Sequence, residues 1–511
     1  MKKKKSSDRV IAIAAIATAV AFSGCTRKAP ETNAITDANL VTAGTTTSHT
    51  IGDSKIQFTV TPKNLVTDNA GSDPGALILG LPMSLLGKQN IFGGVITKVS
   101  DRNNQDLGML KLTDLPPVPV IPKLAKTKDG TVLLGLYGCV SGCTPDKETE
   151  LLATFPVLSV DDSKQLVMLD LSAVGSDFDL IGMLDPKGEA TKLKTRKAQT
   201  AAVDYSQSTL VFDVDSHMIP VAASADDASA PETVFTTRWY LKLNAVTDPG
   251  FVARTPIDAV GFFKTERGSE TKITRFSADA GPIKYYIKDV PAEFQAAFAA
   301  AFDGWNTELQ KLVGDKLLSY EFIDSGDARS KLLVPGDVRY NIVAWDLVNK
   351  APYGGLGPSV ADQLTGQTFA ANILIQGPHI IELYQKWFAA SDTAQALIAI
   401  GQADSADQLL AQTKREVQAS LAALKKGSSG AGKIQLSAGK KLAFRVVSQL
   451  PELEDPLMDR NDFDALPTGY SFASYMPGYF QDMLTHEMGH NLGLRHNFRG
   501  TLGAADGAPA Q

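Results

Sequence analysis

The stretch FQDMLTHEMGHNLGLRH, residues 480–496, decides how the chain is read. It has helical character as far as Gly493. On a helix His486 and His490 project from one face, one turn apart, so both imidazoles can bind one metal ion as neighbouring ligands. Glu487 lies beside the first of them, where its carboxylate reaches a water on the metal without ligating it. Gly489 keeps the helix slim, and Gly493 can take the positive φ that ends a helix and swings His496 toward the same ion. Three neutral nitrogens and one open position suit a catalytic rather than a structural zinc. A bare His-Glu-x-x-His arises by accident in about 1% of chains this long, and the added Gly493 and His496 make accident a poor explanation. The remaining histidines, His49, His217 and His379, are isolated and read as surface or loop residues.

Upstream of the motif, PIKYYI (282–287) reads as a strand and Pro291 sits early in a helix. Phe294, Phe298, Phe302, Trp305, Leu309 and Leu312 recur at spacings of three and four, one apolar stripe for core packing. LLSYEFI (317–323) and DVRYNIVAW (337–345) read as strands, and the glycine-rich YGGLGPSVADQLTGQ (353–367) leads into FAANILIQ (369–376). A helical region from about 380 to 426 is expected as two helices, broken near Ser391-Asp392 or Gly401-Gln402. GSSGAGK (427–433) reads as a flexible loop. The acidic run 451–469 lacks the spacing of a calcium loop and reads as solvated.

Residues 55–270 are different: short apolar runs broken by turn signals predict a β-rich domain. The clearest strands are SKIQFTVTP, NIFGGVITKVS, TVLLGLYG, KQLVMLDLS, STLVFDV and ETVFTTRWYLKLNAV. The chain begins with a basic MKKKKSSDRV and an apolar run Val10–Phe22, too short to span a bilayer, which reads as a secretory signal over residues 1–24. Phe22-Ser23-Gly24-Cys25 resembles a bacterial lipobox, which implies lipid attachment at Cys25; the alternative is a plain signal with an incidental cysteine. Residues 25–54 read as a flexible tether. In an oxidising compartment Cys139 and Cys143 are expected to form a local disulfide, with free thiols or a metal pair as alternatives. With 511 residues, 44% apolar and a formal charge of −6, the chain has material for more than one core and no signature of a nucleic-acid surface.

The eleven-residue motif HEMGHNLGLRH is that of the metzincin clan of zinc peptidases. Together with VRYNIVAW (338–345) and GLGPSVADQLTGQTFAANILI (355–375), it resembles the large bacterial secreted zinc-dependent metalloprotease family. The resemblance covers about residues 280–500 and is loose over the β-rich block. It implies an α+β chain in which a β-rich domain precedes a metzincin-like catalytic subdomain, residues 280–511, with a mixed twisted sheet, a backing helix and an active-site helix. It implies one Zn2+ held by His486, His490 and His496, and Glu487 as general base in peptide-bond hydrolysis by a metal-activated water. FAANILIQ would be the edge strand, antiparallel to its neighbour, with Phe369, Ala370, Ala371, Asn372, Ile373 and Leu374 pairing an extended protein or peptide substrate. A lipid anchor would hold the protein to the bacterial outer membrane. A methionine-containing turn belongs after the third histidine in that clan, whereas NFRGTLGAADGAPAQ (497–511) has no methionine. The expectation is therefore a stretch of a longer endopeptidase. A weak or inactive zinc-binding surface lipoprotein, or a binding module, are the alternatives.

Overall fold

A computed structural model describes residues 39–40, 59–62, 77–100, 115–138, 150–176, 191–220, 231–245, 248, 250–256, 261–267, 270–277, 281–313, 317–347, 354–362, 364–429 and 469–495. The chain is α+β, with the strands up to Lys242 gathered in one twelve-stranded sheet and a second sheet of six strands beginning at Ile283.

Neighbouring strands in the first sheet pair antiparallel, and their apolar residues alternate between two buried faces. Phe92, Leu210, Phe212, Trp239 and Leu241 point into its core, while Ile91, Val95, Val211 and Tyr240 point outward and pack against Val338 and Val360 of the second region. Period-two side-chain direction makes one strand serve both contacts. Gly94 lies opposite Trp239, where a β-carbon would come within 2.6 Å of the indole; the glycine makes room for the Phe92–Trp239 stack, whose ring centroids are 5.1 Å apart. The expected strands are found where they fall in described residues. Others join them, the longest being Leu115–Lys126, Glu150–Asp161 and Thr191–Ser206.

In the second region Ile283–Lys288, the helix Ala292–Val313 and the strand Leu318–Ile323 form a βαβ unit whose strands pair in parallel. Asn341–Trp345 adds on the other side of Ile283–Lys288, and Thr368–Ile375 follows it, both in parallel. Gly355–Leu356 and Ser359–Ala361 close that edge antiparallel to Thr368–Ile375. Phe294, Phe298 and Phe302 of the helix are buried against one face of the sheet, together with Tyr285, Ile287, Val343, Ile373 and the helix Phe472–Asn491. Leu309 packs at the edge of that core. Leu312 departs from the expected stripe: it lies in the last turn of the helix and is 79% exposed.

The helical region is two helices, Gly377–Ala399 and Ala403–Ser429. Of the two breaks considered, the one at Gly401 is used, with φ of +81°; Ser391 sits within the first helix and donates from Oγ to the Trp387 carbonyl. The second helix runs to Ser429, three residues into the stretch read as a loop. No helix among the described residues is long and apolar enough to cross a membrane.

Candidate metal centre

The helix that carries the motif spans Phe472–Asn491. Ser471 caps it, accepting from the Ser474 amide while Ser474 Oγ accepts from the Ser471 amide, a reciprocal capping box. Met476, Phe480, Met483, Leu484 and Met488 recur at helical spacing and are buried against the Ala292–Val313 helix and the sheet. Trp305 of that neighbouring helix fixes the rotation: its indole donates to the Thr485 carbonyl at 2.8 Å, and its ring lies 3.4 Å from where a Gly489 β-carbon would stand.

The chain then stops the helix with two bonds, Leu494 N–H to the Gly489 carbonyl and Gly493 N–H to the His490 carbonyl, both at 2.9 Å. This is the Schellman arrangement, with Gly493 at φ +96° in the left-handed position. A β-carbon there would also sit 2.1 Å from the Thr274 carbonyl oxygen, so glycine is required twice over.

His486 and His490 emerge one turn apart with ring centroids 4.4 Å apart and planes at 85°. His490 Nδ1 lies 2.8 Å from the Leu494 carbonyl oxygen. A carbonyl only accepts, so Nδ1 donates and the neutral ring carries its lone pair on Nε2. In a metal site, a contact of this kind fixes the tautomer of a ligating histidine. Glu487 is 4% exposed and lies flat against the backbone of the sheet edge. β-carbons on Gly355 and Gly357 would come within 2.6 and 3.0 Å of its carboxylate oxygens.

Asn491 ties the helix to the same edge. Its Nδ2 donates to the carbonyls of Gly357 at 3.0 Å and Asn372 at 3.2 Å, and its Oδ1 accepts from the Tyr285 hydroxyl at 3.4 Å. Burial pushes the Tyr285 phenol well above the ordinary tyrosine range, which keeps it a donor.

His486, Glu487 and His490 are thus brought together. His496 lies outside the described residues, as do Cys25, Cys139 and Cys143, and no group of three or more potential metal ligands occurs among the described residues. The donors that are described suit zinc: two imidazoles on one helix face, one with its tautomer fixed, and a buried carboxylate between their turns. His217 contacts Glu232 and His379 lies 3.9 Å from Glu382, both apart from this cluster. A cleft of about 440 Å³ lined by Ile287, Asp289, Phe322, Asp324 and Leu347 shares no residue with the histidines.

The edge-strand expectation needs correction. Phe369, Ala370, Ala371, Asn372, Ile373 and Leu374 belong to Thr368–Ile375, which is paired on both sides and lies one strand in from the edge. Ala370, Ala371 and Ile373 are fully buried, as a continuous apolar run in a parallel neighbourhood should be. The edge is Gly355–Ala361, in the stretch read only as glycine-rich.

Sequence reasoning also passed over Gly355, Gly357, Asn491, Tyr285 and Phe263. Phe263 falls in the block assigned to the β-rich domain, yet its ring meets that of His490 edge-on at 5.5 Å. Only the position of Asn491, directly after an expected ligand, gave any signal. Comparison with models of known families, with characterised proteins and with solved structures returns no match.

Proposed function

We propose that this chain carries the catalytic region of a zinc-dependent endopeptidase of the metzincin type. The observation that carries the reading is the His486–His490 pair with His490 Nδ1 committed to the Leu494 carbonyl and Glu487 buried beside it. His486 and His490, with His496 as the expected third ligand, would hold the ion. Zinc bound there supplies Lewis-acid chemistry, polarising water and a peptide carbonyl.

The chain's own residues do the rest. Glu487 takes a proton from the attacking water and returns it to the leaving amine, the two halves of general acid–base catalysis. Its seat against Gly355 and Gly357 keeps the carboxylate beside the sheet edge, where water has little access. The antiparallel edge Gly355–Ala361, exposed at Ser359, would be the segment to pair with an extended peptide, so substrate would be gripped through its backbone and selected by side-chain pockets. The fold order supports this reading: a backing helix, a mixed sheet with one antiparallel edge, and the motif helix on the same face as the backing helix. Lipid attachment at Cys25, and with it residence at the bacterial outer membrane, belongs to the same proposal.

The test uses the full-length gene product, casein as substrate and metal analysis. Glu487→Ala should retain zinc while cleavage falls by about 10²- to 10⁴-fold. Cleavage by that variant at the wild-type rate would remove Glu487 as the base. Wild-type protein that holds no zinc would sink the reading as a whole.

A further inference from the structure

The helix that presents two ligands ends at Asn491, and among the described residues no backbone bond to the helix is made beyond Leu494. The direction the chain then takes matters, because the expected third ligand, His496, follows Arg495 in sequence. The described structure supplies the missing restraint from a distant place, the segment Gly261–Phe263 and the hairpin that follows it. Phe262 and Leu494 form an antiparallel bridge. The Phe263 amide donates to the Gly493 carbonyl at 2.7 Å, and the Arg495 amide donates to the Gly261 carbonyl at 3.0 Å. These bonds make a short ladder that holds the outgoing chain through Arg495.

The ladder is itself anchored. The hairpin Lys264–Arg267 and Glu270–Ile273 returns the chain to Thr274, whose amide donates to the Phe263 carbonyl at 2.8 Å. The next residue, Arg275, bridges Gln367 in parallel; its amide donates to the Gly366 carbonyl at 2.9 Å, and the Thr368 amide donates to its carbonyl at 2.8 Å. Rigidity therefore passes from the second sheet through the hairpin to the turn that leaves the motif helix.

Phe263 stands where these restraints meet the ligands. Its ring lies edge-on to His490, at 5.5 Å and 60°, and the Arg495 guanidinium lies 5.9 Å from its ring centroid. An aromatic wall against His490 limits how far the imidazole can swing from its Leu494 contact, and a cation over the same ring draws Arg495 into register. We infer that Phe263 is a positioning residue of the metal centre, setting the orientation of His490 and the path of the chain through Arg495. The inference rests on the zinc-site reading above, since a positioning residue needs a metal to position for.

The experiment is zinc binding by the chelator-stripped full-length protein, titrated against a competing chelator, with Co2+ absorption as a second readout of ligand geometry. Phe263→Ala should weaken zinc by about 10- to 100-fold, the usual effect of losing an outer-shell partner, and should change the Co2+ bands. Phe263→Tyr, which keeps the aromatic wall, should bind as wild type does. Phe263 is only half-buried, so the apo form of Phe263→Ala is expected to melt cooperatively; if it does not, Phe263→Leu keeps the apolar bulk and should fall between alanine and wild type. Wild-type affinity and an unchanged Co2+ spectrum in both the alanine and leucine variants would overturn the inference. A different result separates the two ideas: zinc binding that is absent in wild type, or undiminished in His490→Ala, would overturn the metal-site reading and the role of Phe263 with it.

Discussion

The antiparallel sheet up to Lys242 and the mainly parallel sheet from Ile283 are both buried at their centres among rings and aliphatic chains, but the second adds more side-chain amides that tie one element to the backbone of another. In the first, rings and aliphatic chains meet each other: Phe92 stacks on Trp239 and meets Phe155 edge-on at 5.7 Å. Within the sheet Arg238 grips Asp213 through two bonds of 2.8 and 3.0 Å. In the second, side-chain amides reach the backbone of neighbouring elements. Asn306 both donates to and accepts from Leu318 at 2.9 Å. Asn341 joins the Lys284 carbonyl to the Ala371 amide, each at 2.9 Å, and Asn491 joins the motif helix to two strands. Apolar contact is tolerant of small displacements, whereas a hydrogen bond fixes a distance and a direction. The region proposed to place catalytic groups is the one with more of these amide ties.

If that contrast is real, damage to the first sheet should cost stability without reaching the chemistry. Phe92→Ala removes a fully buried ring with two aromatic neighbours and should destabilise by about 3–5 kcal/mol. Denaturant unfolding followed by near-ultraviolet circular dichroism measures that loss. Zinc affinity of the folded fraction should not change. A variant as stable as wild type would mean the ring stack contributes little, and a folded variant with weakened zinc would show that the two sheets are coupled.

The converse experiment is Asn491→Ala. It withdraws one donor from two carbonyls and one acceptor from Tyr285, in a place with 1% exposure, and should cost about 1–3 kcal/mol. Because His486, Glu487 and His490 are untouched, zinc should remain, while peptide turnover falls as the Gly355–Ala361 edge loses its tie to the helix. Unaltered melting together with unaltered turnover would remove Asn491 from the account of how the edge is held.

Periodicity explains which parts of this were visible in the residues alone. The Phe294–Phe302 stripe and the His486–His490 spacing depend on local geometry, and both are present as expected. The edge was misplaced because FAANILI is more strand-like than GLGPSVA, although glycine and proline belong at an edge for good reason: they bring the backbone close to Glu487 and pair on one side only. The strand Leu115–Lys126 was missed because Pro116, Pro117, Pro119 and Pro122 argue against any strand, yet it pairs on both sides within the first sheet. Phe263 and Thr274 met no pattern at all. Their partners in the motif lie more than two hundred positions away in the chain, and only folding brings them together.

The smallest expected effect probes the outer face of the first sheet. Where that face meets the second region, Ile91, Val211 and Tyr240 are fully buried, but on Glu150–Asp161 the side chain of Leu158 is 48% exposed. Leu158 lies at the register shift between Val157 and Ser159, where regular alternation breaks, and it stays in water, so hydrophobicity alone does not tell which outer-face residues matter. Leu158→Ser should change stability by no more than about 0.5 kcal/mol, with zinc affinity and turnover as in wild type. A loss several times larger would mean that this face is covered in the working protein, and the contrast between a sheet that packs and a sheet that positions would then have to include a further partner for the first.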